Sequence, residues 1–278
     1  MPELPEVETV RRSLLAHLPG LTITGVDVRL PRLIKYPAVS EFTTELKGQT
    51  FLDIQRRGKY LKFIMSGGQT LVIHLRMTGQ LRYACPDNPL PRHTHVIFNL
   101  SDGWELRFTD MRQFGAMYLA SHAEIGQVAG MDRLGWEPLE HFPLAEFCQE
   151  LARRSAKIKS LLLNQHFIAG IGNIYADEGL FAAGIHPEQP AKSLTAEQGE
   201  RLHTALVQVL RAGVQMRGTS FSDYVDGLGR SGDFQHQLAV YGREGQACPR
   251  CGTQIQRIKV SGRSSHFCPC CQSAPEQI

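Results

Sequence analysis

The sequence predicts an α+β multidomain protein: an N-terminal antiparallel β-sandwich or barrel capped by the first helix, then a helical domain, then a C-terminal hairpin rich in cysteine. Three observations predict this. Short β-rich runs continue to about residue 121, the hydrophobic period is helical from about residue 143, and five of the seven cysteines lie in the last 31 residues. With about 150 residues per domain, 278 residues suffice for two or more domains.

The N-terminal part begins with a helix over residues 2–18, because Val7, Val10, Leu14 and Leu18 recur at helical spacing behind a proline suited to the first turn. Seven β-rich runs follow: ITGVDVRL, TFLDIQRR, YLKFIM, TLVIHLRM, THVIFNL, WELRFTD and AMYLAS. Since no helical period intervenes, we expect antiparallel strands in a sandwich or barrel.

Changes of period place the domain boundaries. We predict an N-terminal domain at 1–130, a linker at 131–145, a helical domain at 146–240 and a C-terminal domain at 241–278. Inside the helical domain, the segment from about 217 to 234 is rich in glycine and hydroxyl side chains without a period. We expect a long functional or mobile loop there.

Composition excludes several classes of protein. Hydrophobic residues make up 42% and charged residues 21%, which is typical of a globular chain and not of a disordered one. No apolar run reaches the ~20 residues of a membrane helix, and acids near the N-terminus are unlike a secretory signal, so we expect a cytoplasmic protein without a membrane partner. The net charge is only +3, yet bases crowd at 56–62 and 153–159, as solvated surface or as a polyanion site.

The cysteine spacing predicts one structural zinc ion. Cys248 and Cys251 form one C-x2-C pair, and Cys268 and Cys271 form a second after 16 intervening residues. Disulfides or redox chemistry are the alternatives, which a reducing compartment disfavours. Cys270 is an ambiguous neighbour, because a C-x-C pairing with Cys268 is conceivable, although only Cys271 reproduces the first spacing. Basic residues without any acid lie between the pairs, as in a phosphate-binding hairpin.

Five segments occur together in one order: PELPEVETVRR at the start, GKYL at 58–61, FTDMRQFG at 108–115, GIGNIYADEGLFAAGIHP at 170–187, and the four-cysteine finger. This combination closely resembles the bacterial formamidopyrimidine-DNA glycosylases, also called 8-oxoguanine-DNA glycosylases, over essentially the whole chain. The resemblance implies a monomeric, zinc-dependent repair enzyme that binds damaged double-stranded DNA. It would excise 8-oxoguanine opposite cytosine and formamidopyrimidines, and cleave the strand by β,δ-elimination.

The resemblance also implies catalytic residues. Taken alone, PELPE is simply a helix start with acids favoured by the helix dipole. In the family, removal of the initiator methionine makes Pro2 a terminal secondary amine with a pKa near ~8, which attacks the sugar and forms a Schiff base. Glu3 would be the general acid, and Glu6 would orient the site. Lys59 would contact phosphate and donate a proton in the first elimination. Arg263 would grip phosphate and is assigned the second proton, although an arginine that is always protonated suits the phosphate role better.

Further residues match family DNA contacts. Met77, Arg112 and Phe114 match the residues that fill the void left by an extruded base, although a methionine or phenylalanine alone more often packs in a core. Asn173 follows the GIG turn of a helix-two-turns-helix element, where free N–H groups face phosphate, or it simply caps the helix.

His93 and Arg154 match DNA-contact positions more weakly, because the neighbouring His95 and Arg153 could replace them. The 217–234 segment falls where the family has its lesion-recognition loop. There and beside Arg112 the sequence departs from common family patterns, at Asp233, Met111 and Gln113. These departures affect loop order and opposite-base preference more than the chemistry.

Two other functions fit part of the pattern. An endonuclease VIII-like glycosylase would act on oxidised pyrimidines, but PELPE and the void-filling residues resemble the purine branch. A zinc-ribbon DNA-binding protein without catalysis would use the basic clusters for backbone contacts alone.

Overall fold

The computed structural model describes residues 1–221 and 223–274, so residue 222 of the predicted 217–234 loop and the last four residues of the predicted 241–278 domain lie outside the described residues. The chain divides into two compact units. Unit 1 comprises Met1–Arg133 and Met216–Gln235, and unit 2 comprises Leu134–Gln215 and the residues from His236 onward. None of the described helices is long and apolar enough to cross a membrane.

The described residues of unit 1 form three α-helices and nine strands: α1 (Leu4–Leu15), β1 (Ile23–Val28), β2 (Ile34–Tyr36), α2 (Val39–Leu46), β3 (Phe51–Arg57), β4 (Tyr60–Met65), β5 (Gln69–His74), β6 (Gly79–Ala84), β7 (Thr94–Leu100), β8 (Glu105–Asp110), β9 (Ala116–Ser121) and α3 (Ile125–Val128). The strands form a four-stranded sheet in the order β1-β7-β8-β6 and a five-stranded sheet in the order β2-β9-β5-β4-β3. Apolar side chains of α1 and of both sheets share one core. The predicted β-sandwich with an N-terminal helix is confirmed.

Four elements of unit 1 were not predicted. The structure adds β2, β6 and the helices α2 and α3, and because α2 lies between strands, the expectation that no helix interrupts the strands was wrong. The segment of α2, VSEFTTEL, is short and rich in β-branched residues, which weakens its helical signal. In addition, β2 runs parallel to β9, so the five-stranded sheet is not purely antiparallel.

The segment 216–235 packs with unit 1. The backbone N–H of Tyr83 on β6 donates to the carbonyl of Gly227 at 2.8 Å, and the N–H of Gly227 donates to Ser13 Oγ at 2.9 Å. Tyr224 packs against the core of unit 1, and the carboxylate of Asp226, 1% exposed, accepts backbone N–H groups of this same segment. The packing therefore separates this segment from the helices that precede it in sequence.

In unit 2, the residues up to 274 form four α-helices and one hairpin: α4 (Leu144–Ala152), α5 (Ile158–Leu162), α6 (Asn173–Ala183), α7 (Ala196–Gln215), β10 (Gln256–Val260) and β11 (Arg263–Phe267). Helices α6 and α7 can approach closely because Gly213 has no side chain. A Cβ atom at this position would lie 2.6 Å from the ring of Tyr175. The hairpin β10–β11 is antiparallel. The predicted helical segment and C-terminal hairpin are confirmed.

Candidate active site and zinc centre

The first turn of α1 buries two carboxylates beside the N-terminus. Pro2 is buried, and Glu3 and Glu6 are 3% and 2% exposed. Glu6 Oε2 accepts the backbone N–H of Glu3 at 2.8 Å, as the N3 residue of a capping box does. This bond fixes the backbone next to Pro2.

Glu6 also binds the segment 216–235 within unit 1. Its Oε1 accepts the backbone N–H of Thr219 at 2.8 Å, and Tyr224 Oη donates to the carbonyl of Glu6 at 3.2 Å. Gly218 has φ +82°, and a side chain there would come within 2.9 Å of the Glu6 carboxylate. Glycine is therefore required for this approach. One buried carboxylate holds both the helix start and part of the predicted lesion-recognition loop.

Glu8 is a third buried acid on α1. It pairs with Arg11 and Arg12 at 2.8 Å and with Arg56 of β3 at 3.2 Å. Burial alone would raise its pKa, but hydrogen bonds from Arg11 and Arg12 and the nearby positive charges hold the pKa at about 2. Glu8 is thus ionised at neutral pH and fastens α1 to β3.

Lys59 lies in the turn between β3 and β4. Gly58 has φ +54°, and Lys59 is 6% exposed. His74 ends β5, and its ring meets that of Tyr60 edge-on at 4.5 Å between centroids. Burial, together with the positive charges of Arg76 and Lys59, lowers the pKa of His74 to about 3. His74 is therefore neutral near pH 7, and the positive charge here belongs to the lysine and arginine.

The predicted void-filling residues are exposed at two turns of unit 1. Met77 is 39% exposed and Phe114 53% exposed, and Met111 beside them is 56% exposed. The Arg112 guanidinium lies 5.0 Å from the centre of the Phe114 ring. The alternative that Met77 and Phe114 pack in a core is therefore excluded by their exposure.

The remaining predicted DNA contacts are distributed over both units. His93 in unit 1 has φ +67°, and its ring lies 6.2 Å from that of His95. In unit 2, Arg153 and Arg154 are both exposed and both pair with Glu150, so the structure does not distinguish them. Asn173 begins α6, and its buried Oδ1 accepts no hydrogen bond from the described residues.

The four predicted cysteines converge. The sulfur atoms of Cys248, Cys251, Cys268 and Cys271 all lie within 4.8 Å of one another. A tetrahedron with zinc–sulfur bonds of about 2.3 Å has sulfur–sulfur edges of about 3.8 Å, and three of the separations here are 3.5, 3.5 and 3.9 Å.

The donor set and its surroundings fit one zinc ion. Hydrogen bonds from Thr253 lower the pKa of Cys251 to about 6, whereas burial and the neighbouring sulfurs raise the pKa of Cys268 and Cys271, a mutual repulsion of thiolates that a shared cation would offset. Backbone N–H groups of Arg250 and Cys271 also point to ligand sulfurs at 3.4 Å. Cys270 lies outside the cluster and is exposed, so its ambiguity is resolved in favour of Cys271.

A buried ion pair supports the hairpin that carries Arg263. Lys159 Nζ lies 2.6 Å from Asp177 Oδ1, and both side chains are 0% exposed. Asp177 also accepts Ser265 Oγ at 3.1 Å and the backbone N–H of His266 at 2.9 Å, while Lys159 donates to the carbonyl of Ser264 at 2.5 Å. The strand β11 is therefore bonded to α5 and α6, and Arg263 stands exposed at its start.

Sequence reasoning missed several of these groups. Asp177 and Glu178 are two acids in an otherwise apolar helix, and that contrast could have indicated buried, paired carboxylates. Glu178 accepts the backbone N–H groups of Ala239, Val240 and Tyr241 at 2.8–2.9 Å.

In unit 1, His74 had a weaker signal as a histidine that ends an apolar strand. No feature of the sequence indicated the pairing of Glu8 with Arg56.

Three family models match the chain. The formamidopyrimidine-DNA glycosylase N-terminal domain matches residues 1–117, the H2TH domain of that glycosylase matches residues 134–225, and a zinc finger found in FPG and IleRS matches residues 245–274.

Curated relatives match over their full length. The formamidopyrimidine-DNA glycosylase of Desulforamulus reducens is 55% identical, covering 99% of this chain and 100% of the relative. That of Pelotomaculum thermopropionicum is 53% identical, covering 98% and 99%.

Solved structures match as well. Lactococcus lactis FPG bound to a Fapy-dG-containing DNA has a TM-score of 0.91 at 38% identity, covering 98% of this chain and 100% of that one. Its complex with abasic-site DNA has a TM-score of 0.92 at 39% identity, with the same coverage.

Proposed function

The chain belongs to the formamidopyrimidine-DNA glycosylase family of base-excision repair enzymes, and we propose that it excises 8-oxoguanine opposite cytosine and formamidopyrimidines from duplex DNA and then cleaves the strand. The observation that carries the proposal is the buried first turn of α1, where Glu6 fixes the backbone of Glu3 beside Pro2. The Lactococcus lactis relatives bound to Fapy-dG and abasic-site DNA support this substrate class.

The proposed nucleophile is the amine of Pro2 after removal of the initiator methionine. The nitrogen attacks C1′ of the damaged nucleotide, and the base leaves with the electron pair of the glycosidic bond and takes a proton from Glu3. The nitrogen then loses its proton, and its electron pair opens the sugar ring by breaking the C1′–O4′ bond while O4′ takes up a proton. The product is an iminium at C1′. The iminium acidifies the C2′ proton, so its removal expels the 3′ phosphate, and a second elimination expels the 5′ phosphate.

Cationic side chains of each unit serve the phosphates in this proposal. Lys59 in unit 1 and Arg263 in unit 2 contact the DNA backbone, and Lys59 donates a proton in the first elimination. Zinc, when bound, supplies a structural crosslink for the hairpin that carries Arg263. The N-terminus of α6, with the side-chain amide of Asn173 as a donor, forms a further phosphate site in this proposal.

Met77, Arg112 and Phe114 fill the space left by the extruded base. The two apolar side chains replace the lost stacking, and the Arg112 guanidinium donates to the orphaned cytosine. His93 and Arg154 add backbone contacts. We expect a monomer that acts in the bacterial cytoplasm on nucleoid DNA.

Borohydride trapping tests the proposal. A duplex with 8-oxoguanine opposite cytosine should give a covalent protein–DNA adduct, and the modified peptide should contain Pro2. Pro2→Gly should retain some trapping, because a primary amine still forms an imine, whereas one extra residue ahead of Pro2 should abolish it by converting the amine into an amide. Glu3→Gln should slow excision roughly 10²–10⁴-fold and affect cleavage of a preformed abasic site less.

Three outcomes contradict this proposal in different ways. Trapping that persists behind an extra N-terminal residue would exclude the Pro2 mechanism and make Lys59 the next amine to test. Excision of oxidised pyrimidines alone, in a panel of lesion duplexes, would indicate the endonuclease VIII-like activity. Tight DNA binding without any excision would indicate a non-catalytic protein.

A further inference from the structure

The two exposed turns that carry the proposed void-filling residues lie at one end of neighbouring strands. Met77 precedes β6, and Arg112 and Phe114 follow β8. Strands β6 and β8 are antiparallel neighbours, and Gly79 pairs directly with Asp110. Although the turns are more than 30 residues apart in sequence, the pairing places them side by side.

The carboxylate of Asp110 bonds to both turns. It is 0% exposed, and its Oδ1 accepts Thr78 Oγ1 at 2.5 Å and the backbone N–H of Arg112 at 3.2 Å. Its Oδ2 accepts the backbone N–H of Gly115 at 2.8 Å. Asp110 therefore closes the Met111–Phe114 turn at both ends and bonds it to the residue after Met77.

Thr78 makes the second link. Its hydroxyl donates to Asp110 and accepts the backbone N–H of Arg112 at 3.0 Å, and a hydroxyl is the small side-chain group that can do both. The backbone behind Thr78 is tight, because a side chain at Gly79 would come within 2.3 Å of the carbonyl of Leu75. The close packing of Gly79 against Leu75 thus restricts the backbone that carries the Thr78 hydroxyl.

The base of this network is also held. The backbone N–H of Asp110 donates to the carbonyl of His93 at 3.0 Å, and the carbonyl of Asp110 lies 2.9 Å from His95 Nε2. At Gly115 a side chain would meet the ring of Phe108 at 2.4 Å, so the far end of the turn is confined as well. Asp110 is fixed by its backbone on β8 while its side chain holds the two turns.

We propose that Asp110 and Thr78 are positioning residues that join Met77, Arg112 and Phe114 into one rigid wedge, which enters the duplex as a single body. The inference rests on the proposed function. Two independent turns would each lose conformational freedom on entering the stack, whereas a wedge ordered in the free protein has already lost it. The mutual support predicts that the void-filling residues act non-additively.

A double-mutant cycle tests this. Met77→Ala, Phe114→Ala and the double variant are made in three backgrounds: wild type, Thr78→Ser, which keeps the hydroxyl, and Thr78→Val, which removes it at nearly equal volume. Base extrusion is followed by stopped-flow fluorescence of 2-aminopurine placed beside 8-oxoguanine. In the wild-type and Thr78→Ser backgrounds we expect the double variant to be about three- to tenfold faster than the product of the single effects predicts. In the Thr78→Val background this factor should fall to about one.

Several results would overturn the wedge. They are additive single effects in the wild type, an unchanged coupling factor in Thr78→Val, or a loss of coupling that Thr78→Ser shares. Asp110→Asn provides a second variant that does not depend on Thr78→Val folding, and it should lower the same factor. A failure of the proposed function would be seen in a different experiment, because the wild-type protein would then give no covalent adduct with borohydride.

Discussion

The two units differ in how each holds a charged helix residue beside an element of the proposed mechanism. In unit 1, Glu8 of α1 is paired with Arg12, whose side chain is 61% exposed, as well as with Arg11 and Arg56. In unit 2, Asp177 of α6 is paired with Lys159, and both side chains are 0% exposed.

Because the two pairs differ in exposure, breaking them should cost different amounts of unfolding free energy. Around Glu8, water can solvate part of the cluster, so loss of one partner is partly compensated. Around Asp177, loss of Lys159 leaves a buried charge without its cation, which is strongly destabilising. Unit 2 adds a second requirement, because the strand bonded to Asp177 belongs to a metal-binding hairpin.

Removal of zinc should give the largest difference in stability between unit 2 and unit 1. Structural zinc contributes roughly 10–16 kcal/mol of apparent binding free energy in small zinc-finger peptides, so chelation should unfold the β10–β11 hairpin and release Asp177 from β11. Hydrogen exchange should show lost protection of the Ser265 and His266 amides and unchanged protection in α1. DNA affinity should fall as well, because Arg263 is no longer held.

Cysteine variants provide the matched control for zinc. Cys271→Ser should lower zinc content below one ion per chain, whereas Cys270→Ser, outside the cluster, should keep it. Equal zinc content in both variants, or a hairpin that stays protected after chelation, would contradict the predicted site.

The second prediction concerns the buried pair. Lys159→Met should cost about 3–5 kcal/mol of unfolding free energy, because Asp177 is left charged and buried. The control is Lys157→Met, which breaks the exposed pair with Glu188 and should cost less than about 1 kcal/mol. Urea unfolding of the zinc-loaded protein, read through hydrogen exchange in β11, measures both. Similar costs for the two lysines would remove the contrast between buried and exposed pairs.

The third prediction concerns the pH dependence of Glu8. Its pKa is about 2 in the folded protein and 4.5 without its partners, so its stabilising effect is complete above pH 4.5 and is lost as pH falls toward 2. Because Arg12 is exposed, we expect only about 1–2 kcal/mol. Glu8→Gln should lower stability at pH 7 by that amount and flatten the curve between pH 4.5 and 2.

The unfolding free energy measured against pH compares Glu8→Gln with Glu41→Gln, an exposed acid on α2. The curve of the second variant should keep the wild-type slope between pH 4.5 and 2. A wild-type slope in Glu8→Gln would show that another group governs acid unfolding.

Much of the fold was predictable because its signals are local. The sequence predicts helices in LAEFCQELARR and TAEQGERLHTALVQVLRAGVQM because each segment carries a helical period of its own, and the structure has α4 and α7 there. The strand β6 was missed because GQLRYA is short and begins with glycine, and its place is decided by pairing with β8. For the candidate site, sequence motifs predicted which residues belong to it. The hydrogen-bond partners of Glu6 and Asp110 could not be predicted from those motifs.

Neighbours along the chain account for the helix that begins shortly after Pro2, for the strand alternation, and for the cysteine spacing that brings four sulfurs together. Which acids are buried, and which groups they bind, depends instead on how distant segments pack. Glu6 meets Thr219 across 213 positions of the chain, and Lys159 meets Ser264 across 105. A carboxylate leaves water only where donors from distant segments converge on it, and no local sequence pattern records that convergence.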